Sequence, residues 1–233
     1  VSSKSHFILL NQLKKKNSNL EIKFKKNFFN FSFFKNLFKS IIFQILLLLF
    51  VNLIVKKKKL KANSTLIDIF QIENEFHNNR YYKAVATKKF LKDKNVYFIP
   101  TFIIGKGIIK TLKMIYQLRH KKNILFKEQF LGFKDLFNSL IYYKNLNLLK
   151  KNYSKYDKID YSEIIFEEIK NDNQVNTILI SKLNYFFVKN LSIKKIKIKK
   201  IVNWFENQQI DKAWNYAFRK FYPKSLTLGY QGF

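Results

Sequence analysis

The apolar stretch IIFQILLLLFVNLIV, from Ile41 to Val55, most strongly constrains how this chain can fold. So apolar a segment must be buried in a protein core, against a partner, or in lipid. As an α-helix it would be about 22 Å long, short of the roughly 30 Å hydrocarbon core of a bilayer. Lysines follow it at Lys56 to Lys59, as is typical of a membrane anchor. A helix buried against protein is favoured, and a membrane span stays open.

The chain also carries a formal charge of +30, from 45 basic and 15 acidic residues. Such an excess makes a compact state repel itself unless a polyanion neutralises it. Hydrophobic residues make up 47% of the chain and aromatic residues 18%, far more than a disordered basic tail contains. The composition therefore predicts a folded protein with a polyanionic partner.

The residue types point to a gene in a very AT-rich genome, such as that of an organelle. Lys, Asn, Ile, Phe and Tyr, which have AT-rich codons, crowd the chain, whereas arginine occurs only at Arg80, Arg119 and Arg219. The first residues, VSSKSHFILLNQ, have neither a signal-peptide nor a transit-peptide pattern. We therefore expect an organelle-encoded protein that works in the mitochondrial matrix.

The sequence offers little for catalysis or for a cofactor. It has no cysteine, and His6, His77 and His120 are too scattered to form a metal-ligand set. Glu163 and Glu167 have the i,i+4 spacing of paired carboxylates, but a solvated helix face explains them better. We predict no enzymatic activity, no cofactor and no metal site.

The expected fold class is α+β, with helices packed on small sheets and a long basic amino-terminal extension. Four regions are expected: 1–63, a basic and apolar extension; 64–150, an α/β RNA-binding region; 151–187, an acidic-rich helical insertion; and 188–233, a basic strand plus a terminal amphipathic helix.

Local patterns predict the elements within these regions. The segment NSTLIDIFQIENEF predicts a helix capped by Ser64 or Thr65. A strand is expected up to Ile99, with a break at Pro100 and, after the GKG turn, a helix through Leu112. One or two further helices are expected to bury these residues: Phe126, Phe130, Phe133, Leu136, Phe137 and Leu140.

Lysine clusters supply the candidate RNA contacts. LSIKKIKIKK, from Leu191 to Lys200, alternates as a strand would, with an apolar face and a lysine face. The GKG turn could hold a phosphate on its backbone amides or could be a plain turn. The predicted RNA-binding residues are Lys14, Lys15, Lys16, Lys56, Lys57, Lys58, Lys59, Lys106, Lys110, Lys194, Lys195, Lys197, Lys199, Lys200 and Arg219.

The end of the chain predicts a helix from Ile201 to Phe221, because its apolar residues recur at helical spacing. Pro223 cannot continue this helix, and Tyr230 and Phe233 could begin an extended segment. We expect that segment to find nothing left in the chain to pair with.

This ending, FENQQIDKAWNYAFRK followed by LGYQGF, resembles the third protein of the small ribosomal subunit, the KH-domain protein of the head. The matching positions are Phe205, Glu206, Lys212, Ala213, Ala217, Arg219, Leu228, Gly229, Gly232 and Phe233. The resemblance implies an rRNA-binding protein of the small subunit. In some organelle genomes, notably those of ciliates, this gene is split, so the chain would be an amino-terminal fragment whose last domain is completed by a second polypeptide.

These features together predict a structural protein of the small subunit of the mitochondrial ribosome, with rRNA and neighbouring ribosomal proteins as partners. Phe and Tyr side chains would pack cores or stack on unpaired bases. The alternative is a membrane-anchored accessory subunit of a mitochondrial respiratory or ATP synthase complex, held by Ile41 to Val55.

Overall fold

The expected mixture of helices and sheet is confirmed. The computed structural model describes residues 31–71, 93–102, 107–141, 155–156, 159–160, 175–205 and 208–230. Within these ranges the helices are α1 (Phe31–Ile54), α2 (Ile108–Leu118), α3 (Phe133–Ile141), α4 (Val175–Ile193) and α5 (Gln209–Phe221), with a 3₁₀ turn at Lys127–Phe130. The strands are β1 (Ser64–Gln71), β2 (Val96–Phe102), β3 (Lys155–Tyr156), β4 (Ile159–Asp160), β5 (Ile198–Trp204) and β6 (Leu226–Tyr230).

Four of these strands form one parallel sheet, in the order β2-β1-β5-β6. The register sets Ile67 of β1 opposite Phe98 of β2 and Val202 of β5. Val202 in turn lies opposite Leu228 of β6. Parallel strands are joined by crossovers that place helices on the faces of a sheet, so both faces are covered. The inner strand β1 accordingly buries both Leu66 and Ile67, which point to opposite faces.

That burial explains why the predicted helix from Ser64 is wrong. Leu66, Ile67 and Ile69 are fully buried in β1, which pairs with β2 on one side and β5 on the other. An inner parallel strand reads as a nearly continuous apolar run, which a helical stripe can mimic over a few residues.

The expected break at Pro100 is also wrong, because β2 continues through it to Phe102. The amide of Phe98 points away from β1 and donates to the carbonyl of Asn123 at 2.7 Å. Pro100, two residues further, has the same orientation along the strand. Its missing N–H therefore removes no hydrogen bond between β1 and β2, as expected on an edge strand.

The predicted helix from Ile201 is correct only in its second part. Residues up to Trp204 belong to β5, and α5 starts at Gln209, where Gln208 and Asp211 form a capping box. The final strand begins at Leu226 rather than Tyr230 and pairs with β5. The expectation that this segment finds no partner in the chain is therefore wrong.

One face of the sheet packs on α1 and α2. Its core contains Leu47 and Val51 of α1, Ile67 of β1, Phe98 of β2 and Ile115 of α2. Of the predicted core residues in 126–140, Phe126, Phe130 and Leu136 are buried and Leu140 is partly buried. Phe133 and Phe137 are 55% and 65% exposed, because α3 buries Leu136 and Ser139 instead and turns these rings to solvent.

The opposite face holds an aromatic cluster formed by α4, α5 and the 3₁₀ turn. Phe187 of α4 meets Phe130 and Trp214 edge-on, with ring centroids 5.7 Å apart in both pairs. Trp214 stacks on Phe218 at 5.4 Å. Such pairs stabilise a core beyond the area they bury, so this cluster holds the two helices together.

α1 is longer than the apolar stretch that suggested it. Its 24 residues span about 36 Å. By length and composition alone, Lys35–Ile54 is apolar enough to cross a membrane, and 33% of that stretch is buried in the structure. Leu47 and Val51 are buried against the sheet, whereas Leu49 and Leu53 are exposed.

The chain forms two compact units, 1–39 with 140–175 and 40–139 with 176–233. The sheet β2-β1-β5-β6 lies in the second unit, so it combines strands from the predicted regions 64–150 and 188–233. The boundary predicted between residues 187 and 188 falls within α4. In the first unit β3 and β4 pair antiparallel. Of the predicted acidic insertion, Asp160 is described, in β4. Its other five carboxylates, Asp157, Glu163, Glu167, Glu168 and Asp172, lie outside the described residues.

Candidate nucleic-acid interface

Each strand of the parallel sheet is preceded by an exposed lysine. Lys61 lies three residues before β1, Lys94 two before β2, Lys197 one before β5 and Lys224 two before β6. Parallel strands all begin at the same edge of a sheet, with neighbours about 4.8 Å apart. The four ammonium groups therefore follow one edge about 15 Å long. We call this set of four lysines the amino-edge surface.

Hydrogen bonds hold the two lysine-bearing turns at the start of β1 and β2 together. The amide of Thr65 donates to the carbonyl of Asn95 at 2.9 Å, which joins β1 to the turn that contains Lys94. Ser64 Oγ donates to the carbonyl of Lys61 at 2.5 Å. The amide of Lys61 donates to the Tyr97 hydroxyl at 3.4 Å. The backbone that carries Lys61 and Lys94 is thus fixed to both strands.

The other half of the edge is fixed in the same way. Tyr222 donates its hydroxyl to the carbonyl of Ile196 at 2.9 Å, and burial raises the pKa of this tyrosine to about 12. Ser225 Oγ donates to the carbonyl of Ile198 at 2.6 Å. These bonds attach the turn that contains Lys224 to the start of β5, next to Lys197.

Further exposed lysines enlarge this positive surface. They precede β1, lie in the turn before β5 or at its start, or follow α2: Lys56, Lys57, Lys59, Lys194, Lys195, Lys199, Lys121 and Lys122. In the described segments that lead into the four strands, the one carboxylate is Asp93, whose Oδ1 accepts the Asn95 amide at 2.8 Å. Charges of one sign on one edge suit a sequence-independent contact with phosphates.

Lys58 differs from the neighbouring lysines in its hydrogen bonds. Its Nζ donates to the carbonyls of Lys121 and Ile124, and burial lowers its pKa to about 8. These bonds fasten the segment before β1 to the loop beside β2. Of the four consecutive lysines predicted to bind RNA, Lys58 therefore has a structural role, and the other three are exposed.

The remaining predicted residues occupy different places. Lys110 is exposed in the first turn of α2, which follows the carboxyl end of β2 and so lies toward the opposite edge of the sheet. Lys200 is partly buried in β5, opposite Thr65 and Leu226. Arg219 is exposed in the last turn of α5. Lys14, Lys15, Lys16 and Lys106 lie outside the described residues.

Sequence reasoning missed Lys94 and Lys224 because neither belongs to a chosen lysine cluster. It missed Lys61 because only the four consecutive lysines of the cluster VKKKKLK were selected. A usable signal did exist: a lysine within three residues of the start of an apolar strand, repeated four times. It becomes meaningful only if the strands are known to be parallel, since antiparallel pairing would send alternate lysines to opposite edges.

The predicted phosphate turn is described only from Gly107 onward. Gly107 is the amino-terminal cap of α2 and has a φ of 79°, in the region that favours glycine. Its carbonyl accepts from the Thr111 amide at 3.2 Å and from Thr111 Oγ1 at 3.0 Å. Starting α2 is therefore enough to explain why glycine occupies position 107. Phosphate binding at this turn stays a prediction.

A buried polar cluster lies beneath the sheet, on the side of α4 and α5. Thr101 donates to Asp68 Oδ1 at 2.9 Å, and Lys127 Nζ donates to Asn184 Oδ1 at 2.8 Å. Burial raises the pKa of Asp68 to about 6 and that of Glu128 above its usual value, and it lowers the pKa of Lys127. These five side chains are at most 3% exposed, so a substrate cannot reach them in this state.

The candidate metal ligands do not come together in the part of the chain that is described. His120 is exposed in the turn after α2, and His6 and His77 lie outside the described residues. Among the described residues, no group of three or more His, Asp or Glu side chains could hold a metal ion.

Comparison with known proteins adds no relative. No protein-family model matches the chain, and neither does any curated protein or solved structure. Function must therefore be argued from the sheet edge and the charge of the chain.

Proposed function

We propose that this chain is a structural protein of the small subunit of a mitochondrial ribosome and that it binds rRNA phosphates through the amino-edge surface. One observation carries the proposal: four exposed lysines precede four parallel strands and share one edge of the sheet. The proposed function includes no catalytic activity.

The charge of the whole chain supports a large polyanion rather than a small anionic ligand. A formal charge of +30 exceeds what a single phosphate or nucleotide could neutralise. Proteins that neutralise many nucleic-acid phosphates release counterions, so binding is tight at low salt and weakens steeply as salt rises. A ribosomal protein, which is surrounded by rRNA, has such a large polyanionic partner.

The assignment to the small subunit and to the mitochondrion rests on the sequence. The AT-rich residue types favour an organelle gene, and the resemblance of Phe205 to Phe233 to the KH-domain protein favours the small subunit. In the structure Leu228 and Gly229 lie inside β6, whereas that family has its L-G-x-x-G motif before a strand. The positive charge of the amino-edge surface supports RNA binding independently of this resemblance.

Sedimentation tests the cellular assignment. Detergent-solubilised mitochondria would be separated on a sucrose gradient, and mass spectrometry would follow the chain against rRNA and respiratory subunits. We expect the chain to migrate with small-subunit rRNA and to leave those fractions after RNase treatment. Migration with a respiratory complex, unchanged by RNase, would overturn the proposal.

A paired substitution tests the interface itself. Each lysine that contacts a phosphate contributes about 0.7–0.9 to the slope of log affinity against log salt. We expect Lys197→Gln with Lys224→Gln to lower the slope for rRNA binding by about 1.5.

The matched control is Lys113→Gln with Lys134→Gln, two exposed lysines of α2 and α3 that are not among the predicted RNA-binding residues. It removes the same charge from two helices, outside the turns that precede the four strands. Equal losses from the two pairs would show that net charge, rather than the amino-edge surface, determines binding.

The membrane alternative has one specific observation in its favour. Ile42, Leu46, Leu49 and Leu53 form an exposed apolar stripe along α1, from 39% to 81% exposed. The other face of the same helix, including Leu47 and Val51, packs on the sheet core. Lipid could therefore reach only one side of this helix, which favours a contact with protein or RNA neighbours over a span. Extraction of mitochondrial membranes with alkaline carbonate would retain the chain in the pellet if the alternative were correct.

A further inference from the structure

A groove of about 450 Å³ lies between α5 and β6. Its lining includes Phe205, Lys212, Tyr216, Arg219, Pro223 and Leu226. Clefts of about 300–1,000 Å³ are typical of sites for small molecules. The groove adjoins the amino-edge surface, because Pro223 and Ser225 of its lining flank Lys224.

Two aromatic rings of the groove remain accessible. Tyr216 is 54% exposed and Phe205 is 38% exposed, whereas Trp214 and Phe218 of the same region are buried. The Tyr216 ring stacks on Tyr185 of α4, with centroids 6.0 Å apart and planes 21° apart. One side of Tyr216 is thus supported by protein, and the ring can offer another surface to a ligand.

A lysine holds this aromatic platform in place. Lys220 Nζ lies 3.2 Å from the Tyr185 hydroxyl, and it lies 5.6 Å from the Tyr185 ring centroid and 5.8 Å from that of Tyr216. The hydrogen bond to Tyr185 and the closeness of the same cation to Tyr216 favour one arrangement of both side chains. The platform therefore needs little reordering when a ligand binds.

Cations flank the ring along the helix. Lys212, Tyr216 and Arg219 have i, i+4 and i+7 spacing on α5, which places them in one stripe. The two cations are about 10 Å apart along the helix axis, since the rise is about 1.5 Å per residue. Among the residues that the structure describes, no carboxylate lines the groove. The one acidic residue of α5, Asp211, is buried.

We propose that this groove takes an unpaired nucleotide of RNA, with its base stacked on Tyr216 and the flanking phosphates on Lys212 and Arg219. The order cation, ring, cation along α5 matches the order phosphate, base, phosphate along an extended strand. Paired bases are stacked inside a duplex and cannot reach the ring, so the groove selects single-stranded segments. This inference rests on the proposed rRNA binding and specifies one of its contacts.

The test measures the affinity of the full chain for two probes, a fluorescein-labelled oligouridylate and a blunt RNA duplex. Tyr216→Leu removes the ring at a half-exposed position, whereas Tyr216→Phe keeps it. Loss of a stacked base weakens binding about tenfold. We expect Tyr216→Leu to weaken oligouridylate binding by about that factor and to leave duplex binding unchanged, with Tyr216→Phe within about twofold of wild type.

Tyr116→Leu is the matched control, because Tyr116 is 53% exposed on α2 and outside the groove. Equal losses from Tyr116→Leu and Tyr216→Leu, or no loss from the latter, would overturn the inference. So would binding of labelled oligoglutamate that is also lost with Tyr216→Leu and restored with Tyr216→Phe, because the groove would then accept an acidic peptide.

The outcome can be separated from that of the proposed function. If Tyr216→Leu acts as expected but the chain sediments away from rRNA, the groove binds single strands in a protein that is not ribosomal. If the chain sediments with rRNA and Tyr216→Leu has no effect, the ribosomal proposal stands and the groove proposal fails.

Discussion

Four consecutive lysines show how far the environment of a residue decides its role. Lys56, Lys57 and Lys59 are exposed, whereas Lys58 donates to two backbone carbonyls and has a pKa lowered to about 8 by burial. Nothing in the letters KKKK distinguishes the third lysine. The difference arises because residues 121–124 lie beside β2, where their carbonyls can accept from Lys58. The two segments are more than sixty residues apart in the sequence.

Asp68 is a second residue whose chemistry depends on burial. It lies on β1 at 1% exposure, and burial raises its pKa from 3.8 to about 6. The positive charge of Lys127 and the hydrogen bond from Thr101 oppose this rise, while Asp211 adds to it. In the unfolded chain Asp68 returns to the lower value, so the folded state binds more protons between about pH 4 and pH 6.

The sign of the pH effect follows from that difference. The stability that Asp68 contributes is fully present below its unfolded pKa and is lost as the pH rises through its folded pKa. The rise of the Asp68 pKa from 3.8 to about 6 corresponds to about 3 kcal/mol. We therefore expect the free energy of unfolding of wild type, relative to Asp68→Asn, to fall by about this amount between about pH 4 and pH 7.

Urea unfolding at several pH values would measure the difference. Asp93→Asn, at an exposed position, serves as the control for the general effect of removing a carboxylate. If wild type and Asp68→Asn changed in parallel across this pH range, Asp68 would not be carrying a buried charge.

At the scale of elements, α1 combines a buried and an exposed face in one apolar sequence. Leu47 is 2% exposed and Leu53 is 81% exposed, although both lie in the run that first suggested a membrane helix. Composition cannot distinguish these faces, because nearly every position of the run is apolar. Only packing against the sheet does so.

Matched leucine substitutions test this asymmetry. We expect Leu47→Ala to lower the free energy of unfolding by about 2–5 kcal/mol, because it leaves a cavity in the core. Leu53→Ala should change it by less than about 0.5 kcal/mol. Urea unfolding without detergent would measure both, and equal effects would mean that α1 does not pack on the sheet as described.

The sequence predicted elements well where one face is polar and poorly where both faces are buried. The amphipathic helices α2 and α5 and their buried residues Ile115, Trp214 and Phe218 follow from helical spacing. β1 and the second part of β5, from Ile201 to Trp204, were assigned to helices, because inner strands of a parallel sheet lack the alternation that identifies a half-buried strand. The mixed fold class could be predicted, whereas the parallel order of the strands could not.

At the scale of the whole molecule, the candidate interface is a product of topology. The charge of the chain predicted a polyanionic partner, and Lys197 was among the chosen residues. Its neighbours on the edge, Lys61, Lys94 and Lys224, are brought to it by strand pairing across more than 160 residues of sequence. No local pattern could have shown that these lysines meet.

The same excess of positive charge should lower the stability of the isolated protein. Salt screens repulsion over about 10 Å at 0.1 M and about 3 Å at 1 M. We expect the free energy of unfolding without RNA to rise, by on the order of 1 kcal/mol, when NaCl increases between these concentrations. Urea titrations at each salt concentration would measure it. A decrease would mean that favourable ion pairs outweigh the repulsion of the excess lysines.

The position of β1 in the sheet has a consequence for the synthesis of the chain. One of its edges pairs with β2, which follows soon after it, while the other waits for β5, which begins at Ile198. At about 5–20 residues per second, the roughly 130 residues between β1 and β5 take about 6–25 s to translate. For that time a strand whose centre is largely apolar presents an open edge to other nascent chains. A cell that makes this protein must shield that edge until the third strand emerges.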